Sequence, residues 1–275
     1  MKADCHVHMV LDGVDWKASI ARGVCDSYIH SVLDGYAHAG YTYLRDGGDR
    51  FGVGRRAREL AKEKGITYRT PYAPLCKTGH YGAFIGDQWE NLKDYARRVV
   101  RHRENGADFI KIMISGLMDF DRFGVLTEEP LAPEEIRELI HVAHEEGMAV
   151  MAHCNGARTA QAAVEGGIDS IEHGAYLDED ALWAMQEADV VWVPTLSTIG
   201  NLLGKGRFDD MAVSAILDSA LQNVSRYHAM GGLLAPGTDA GAWAVPHDAH
   251  TEEQWLARAG VLDTAPGVQT IAARF

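Results

Sequence analysis

Pro133-Glu134-Glu135, then Gly147, then Met148-Ala149-Val150-Met151-Ala152-His153 form one readable unit of this sequence: a helix start, its stop, and a short apolar strand ending on histidine. Proline sits in the first helical turn, where its missing amide costs nothing, and the two acids face the positive end of the helix dipole. Glycine after the last turn takes the left-handed conformation that reverses the chain into the next strand.

The unit recurs along the chain. Strands are predicted at about residues 3–9, 41–46, 66–73, 107–114, 148–153, 168–172, 189–194 and 232–238, and helices at about 27–39, 51–64, 88–105, 133–146, 158–166, 178–187, 209–230 and 251–259. Gly40, Gly65, Gly106, Gly147, Gly167 and Gly231 stand just before strands two to six and eight. Strands that alternate with helices of this length form parallel βα units rather than hairpins, and eight of them predict a (β/α)8 TIM barrel occupying residues 1–275 as a single domain.

The 275 residues are 47% hydrophobic and 24% charged, which suits one large domain with a full core. A formal net charge of -13 argues against nucleic acid and against an anionic membrane surface, so a small-molecule substrate is expected. Cys5, Cys25, Cys76 and Cys154 show no CxxC spacing and read as reduced thiols. Asp4, His6 and His8 interrupt any apolar signal core at the amino terminus, and no apolar stretch approaches a membrane span, so a cytoplasmic location is expected.

Alternate residues of a strand share a face, so His6 and His8 of His6-Val7-His8 can hold one metal ion together. Lys111 lies in Phe109-Ile110-Lys111-Ile112-Met113, where a free ammonium would be strongly disfavoured. With Ile110 and Ile112 toward the helices, Lys111 turns into the barrel, and a neutral lysine there can take up carbon dioxide to give a carbamate that bridges two cations. The plainer alternative is a lysine that snorkels to the barrel mouth or pairs with an acid. His153 and His173 end strands five and six, and Asp239 follows strand eight in Gly237-Thr238-Asp239-Ala240-Gly241. Singly, each reads as an ordinary hydrogen-bonded histidine or turn aspartate; jointly they place metal-binding residue types at the carboxyl ends of the strands, the face where barrels carry their chemistry.

His141 and His144 share a helix face without completing HExxH and read as solvated surface. His80 and Tyr81 after strand three, Arg122 after strand four, and Trp243 and His247 after strand eight lie on loops that should ring the pocket. They are the candidate substrate contacts, with His80 or Arg122 suited to a substrate carboxylate. Arg122 has acidic neighbours in Asp119-Phe120-Asp121-Arg122 and can equally pair with one of them.

These motifs, with Tyr43-Leu44-Arg45-Asp46-Gly47-Gly48, Ala152-His153-Cys154-Asn155-Gly156, Ser170-Ile171-Glu172-His173-Gly174 and Val193-Pro194-Thr195-Leu196, resemble the amidohydrolase superfamily, in the branch of imidazolonepropionase-like and prolidase-like metal-dependent hydrolases. The resemblance implies that His6, His8 and Asp239 hold one divalent metal, that His153 and His173 hold a second, and that carboxylated Lys111 bridges them. Zinc is the expected ion, although imidazole and carboxylate also accept manganese and iron. Asp239 would act as general base and then general acid in hydrolysis of an amide in a dipeptide, N-acyl amino acid or cyclic amide.

Relatives usually add a small β-sandwich from residues flanking the barrel, and only five residues precede His6 here. A homo-oligomer is expected to cover the surface left open. Two other functions fit the same residues: a mononuclear deaminase or ring-opening hydrolase that needs no bridging lysine, and a barrel that binds a metal or ligand without turnover.

Overall fold

The computed structural model describes residues 1–248 and 250–275, with ten strands among them: Ala3–Val7 (β1), Tyr43–Asp46 (β2), Thr67–Arg69 (β3), Leu75–Lys77 (β4), Asp87–Trp89 (β5), Ile110–Met113 (β6), Val150–Cys154 (β7), Ser170–His173 (β8), Val191–Val193 (β9) and Leu233–Leu234 (β10). All pair in parallel, in two arcs ordered β1-β2-β3 and β10-β9-β8-β7-β6-β4-β5. Single backbone bonds stitch the seams. Cys5 N–H donates to Pro236 O and Asp239 N–H to His6 O at one of them, and Asp108 N–H donates to Thr70 O at the other. The result is a TIM-barrel-like α/β fold whose ladders stop short of one continuous ring.

Period-two alternation sorts the strands as expected. Ile110, Ile112, Val150 and Ala152 pack outward with Ile136, Leu139 and Ile140 of the helix Pro133–Glu145. Cys5, Tyr43, Phe109, Met151, Val191 and Val193 turn inward, where Val268, Ile271 and Phe275, from the helix Ala265–Arg274 and the residue after it, join them. The six glycines before strands all have positive φ, from 69° to 84°, the conformation that a side chain would strain.

Several boundaries depart from the sequence reading: the strands expected over 66–73 and 107–114 shorten to Thr67–Arg69 and Ile110–Met113, and three further departures have a local cause. The last strand, expected over 232–238, contracts to Leu233–Leu234, because Pro236 offers no amide and the following residues bend away to bond β1. The helix expected from residue 88 begins at Leu92, capped by the Asn91 side chain, because Asp87–Trp89 pairs with β4. The helix expected over 51–64 runs Val53–Ala61 and tightens to a 3-10 turn, Lys62–Lys64, before Gly65. All four cysteines are free, and among the described residues no helix is long and apolar enough to cross a membrane.

Candidate metal centre

All the predicted ligands but Lys111 stand at or just after a strand end. His6 lies near the end of β1 and His8 just beyond it, Lys111 within β6, His153 and His173 among the last residues of β7 and β8, and Asp239 in the loop after β10. Register fixes them side by side: Met113 faces His153, and Cys154 faces His173. His173, Thr195 and Asp239 have φ of 68°, 48° and 57°. Non-glycine residues avoid that region, and such strain gathers where surrounding structure holds a side chain for a purpose.

His6 Nε2, His8 Nε2 and Asp239 Oδ1 form a triangle with all three edges 3.4 Å long, and these three residues make up a group that could hold a metal ion. For a tetrahedral ion bound at about 2.1 Å, the expected ligand–ligand edge is about 3.4 Å, so the donor set fits a cation without rearrangement. The ring of His173 lies 5.1 Å from that of His6, and His153 lies 4.5 Å from His173. Gly47 passes so close to the His8 ring that a Cβ there would collide with it.

One nitrogen of three imidazoles is already engaged. His6 Nδ1 meets Glu172 Oε2 at 2.7 Å, His153 Nε2 meets Gly116 O at 3.1 Å, and His173 Nδ1 meets Thr195 Oγ1 at 2.7 Å. Such partners orient metal-binding histidines and leave the opposite nitrogen for the ion. Burial lowers the pKa of all four histidines, to about 3 for His8 and His153, where the nearby Lys111 amine adds to the effect. Neutral imidazoles are the form that ligates.

Lys111 Nζ is buried with no hydrogen-bond partner, and so is Asp239 Oδ1. Burial pulls the lysine pKa down and pushes that of Asp239 up. Two orphaned polar groups in one pocket are costly, and both are accounted for if the site is built around cations.

The five loop candidates separate. The Tyr81 ring lies 4.8 Å from the His153 ring, tilted by 42°, and its backbone N–H donates to Glu128. His80 lies 3.5 Å from the same carboxylate. Trp243 packs edge-on to Phe208, with the Arg207 guanidinium 4.5 Å above its ring. Arg122 donates to Asp119 at 2.6 Å and is largely exposed, the pairing its acidic neighbours allowed. Both His247 nitrogens are occupied, by Leu11 O at 2.9 Å and Tyr36 OH at 3.4 Å, which suits a structural residue.

Glu172 and Arg45 are the residues that the sequence reading passed over. The available signal was a charged residue at an inward position of each of two short strands, β8 and β2.

The model of the amidohydrolase family matches residues 4–244. No curated protein matches the chain. Among solved structures, a Xaa-Pro dipeptidase with methionine bound in its active site aligns with a TM-score of 0.77 at 20% identity, covering 99% of this chain and 72% of that one. A prolidase complexed with N-methylphosphonate-L-proline gives 0.78 at 24% identity, covering 99% and 73%. The A. niger ochratoxinase gives 0.75 at 22% identity, covering 99% and 69%. At these identities the three likenesses speak for the fold.

Proposed function

This chain belongs to the amidohydrolase family, and we propose that it cleaves an amide or peptide-type bond in a dipeptide, an N-acyl amino acid or a cyclic amide. His6, His8 and Asp239 would hold one divalent cation, His153 and His173 a second, and Lys111 would join the two. The 3.4 Å edges of the first cluster support zinc, which favours tetrahedral coordination.

Bound cations would polarise the substrate carbonyl and acidify water. The remaining steps belong to the chain. Burial brings the Lys111 pKa down to about 8, so that its neutral form is within reach; that form would add carbon dioxide at Nζ and release the N–H proton to solvent, giving a carbamate with two oxygens able to act as ligands. Asp239, holding the cation through Oδ1, would accept a proton at its other carboxylate oxygen from the attacking water and return it to the departing nitrogen. Tyr81, whose ring lies 4.8 Å from that of His153, is the loop residue placed to meet a substrate at the centre.

The observation that carries this reading is Lys111: a buried amine without a partner, beside four neutral histidines. A mononuclear enzyme is favoured only by the compactness of the His6, His8 and Asp239 trio, and it leaves Lys111 without a role. Metal analysis of untagged protein purified without chelator should give near two equivalents per chain, and Lys111→Ala should lose at least one equivalent and most activity on an amide panel. Retained activity with one equivalent would favour the mononuclear enzyme.

A further inference from the structure

Beneath the cation site lies a fully buried ion pair. Glu172 Oε1 accepts from Arg45 Nη2 at 2.8 Å and from Ser170 Oγ at 2.7 Å, and its Oε2 meets His6 Nδ1 at 2.7 Å. Arg45 is fixed further by Nε to Cys5 O at 2.8 Å and Nη1 to Ser170 Oγ at 2.9 Å. Both side chains are 0% exposed. A buried ion pair of this kind adds little stability over an apolar pair of the same volume, so its presence calls for another account.

We infer that Glu172, neutralised by Arg45, is a positioning residue that sets the tautomer and aim of His6. Each hydrogen bond at Glu172 uses a carboxylate oxygen as acceptor, so His6 must be the donor and carry its proton on Nδ1. Its Nε2 then bears a lone pair, directed at the triangle shared with His8 Nε2 and Asp239 Oδ1. With the other tautomer, Nε2–H would occupy the cation's place while Nδ1 and the carboxylate repelled each other at 2.7 Å. Arg45 makes the arrangement affordable by balancing the charge, and Ser170 bridges both partners. Glu172 reaches the site from β8, while His6 stands on β1, so the contact also ties one arc of the barrel to the other.

This inference rests on the metal-site reading for its consequence, though not for its first test. In metal-free wild-type protein with 15N-labelled histidine, the His6 ring, assigned by comparison with His6→Asn, should show protonation on Nδ1. Glu172→Gln, whose amide NH2 can donate to His6, should shift the ring toward Nε2–H and weaken zinc binding about 10- to 100-fold in chelator competition. The core variant Leu139→Ala, which loosens the fold from the helix layer, should change neither readout. His6 protonated on Nε2 in the wild type would overturn the inference, as would unchanged tautomer and zinc affinity in a folded Glu172→Gln protein. Should that variant fail to fold, the wild-type tautomer decides alone. A wild-type protein that takes up no zinc would sink the metal reading and leave the tautomer result standing.

Discussion

Lys111 carries a charge-bearing group into the barrel where, among the described residues, nothing accepts its protons. Its position in β6 is a cost to folding, since an amine without a partner is desolvated for no return. Lys111→Met keeps the length and volume of the side chain and removes the polar atom, so the metal-free variant should be more stable than metal-free wild type, by about 1–3 kcal/mol and a few degrees in Tm, while amide hydrolysis is lost. Calorimetry after dialysis against chelator checks this, and a lower Tm would mean that the amine has a partner after all. Lys111 was legible in the sequence because an ammonium inside Phe109-Ile110-Lys111-Ile112-Met113 violates the strand around it, and the histidines were legible because they recur at strand ends. Glu172 was not. Periodicity assigns it a face, but its partners Arg45 and His6 are 127 and 166 residues away in the chain, and only the facing of the two arcs brings them together.

Among the elements, those with strong punctuation were the readable ones: proline or an acid at a helix start, glycine at its end, a β-branched run between. β4 and β5 lack such signals, being three residues each, and they form where the chain after β3 folds back on itself beside β6. The short helix Ser197–Gly200 was also silent in the sequence, because its start is held from outside. Glu252, in the first turn of the helix Glu252–Arg258, accepts from Leu196 N–H at 2.9 Å, Ser197 N–H at 2.8 Å and Ser197 Oγ at 2.8 Å. Burial raises its pKa to about 7, against the pull of these donors. The folded pKa therefore exceeds the ordinary value of 4.5, and between about pH 4.5 and 7 the unfolded chain has released a proton that the fold retains. Stability from this group is present below that window and declines as pH rises through it. The shift corresponds to at most about 3 kcal/mol at 1.36 kcal/mol per pH unit. Glu252→Gln abolishes this titration, so denaturant melts of metal-free protein at pH 5 and pH 8 should show the wild type losing more stability across the interval than the variant. Equal slopes would show that Glu252 is ionised throughout and that its three donors outweigh burial.

At the scale of the whole molecule the barrel separates its two tasks by end. The carboxyl ends of the strands hold the strained, charged and unpartnered groups, while the opposite end is closed by Val268, Ile271 and Phe275, packed on Ala3, Tyr43 and Phe109. Phe275 lies edge-on to Phe109 at 5.2 Å and beneath the Arg45 guanidinium at 4.5 Å, so it is where the two ends come nearest to touching. Arg45, however, is held by hydrogen bonds to Cys5, Ser170 and Glu172, and these do not depend on the ring. Phe275→Ala should therefore cost about 3 kcal/mol, the low end for a buried phenylalanine because the site is at the chain's edge, and lower Tm by roughly 6–12 °C. Metal content and the turnover of an amide substrate, measured well below that Tm, should stay within about twofold of wild type, in line with the separation of stability and chemistry along a barrel. Lys111→Met should give the reverse pattern. If Phe275→Ala instead loses metal in step with stability, the stack on Arg45 transmits packing at the base of the barrel to His6, and the two ends work as one unit.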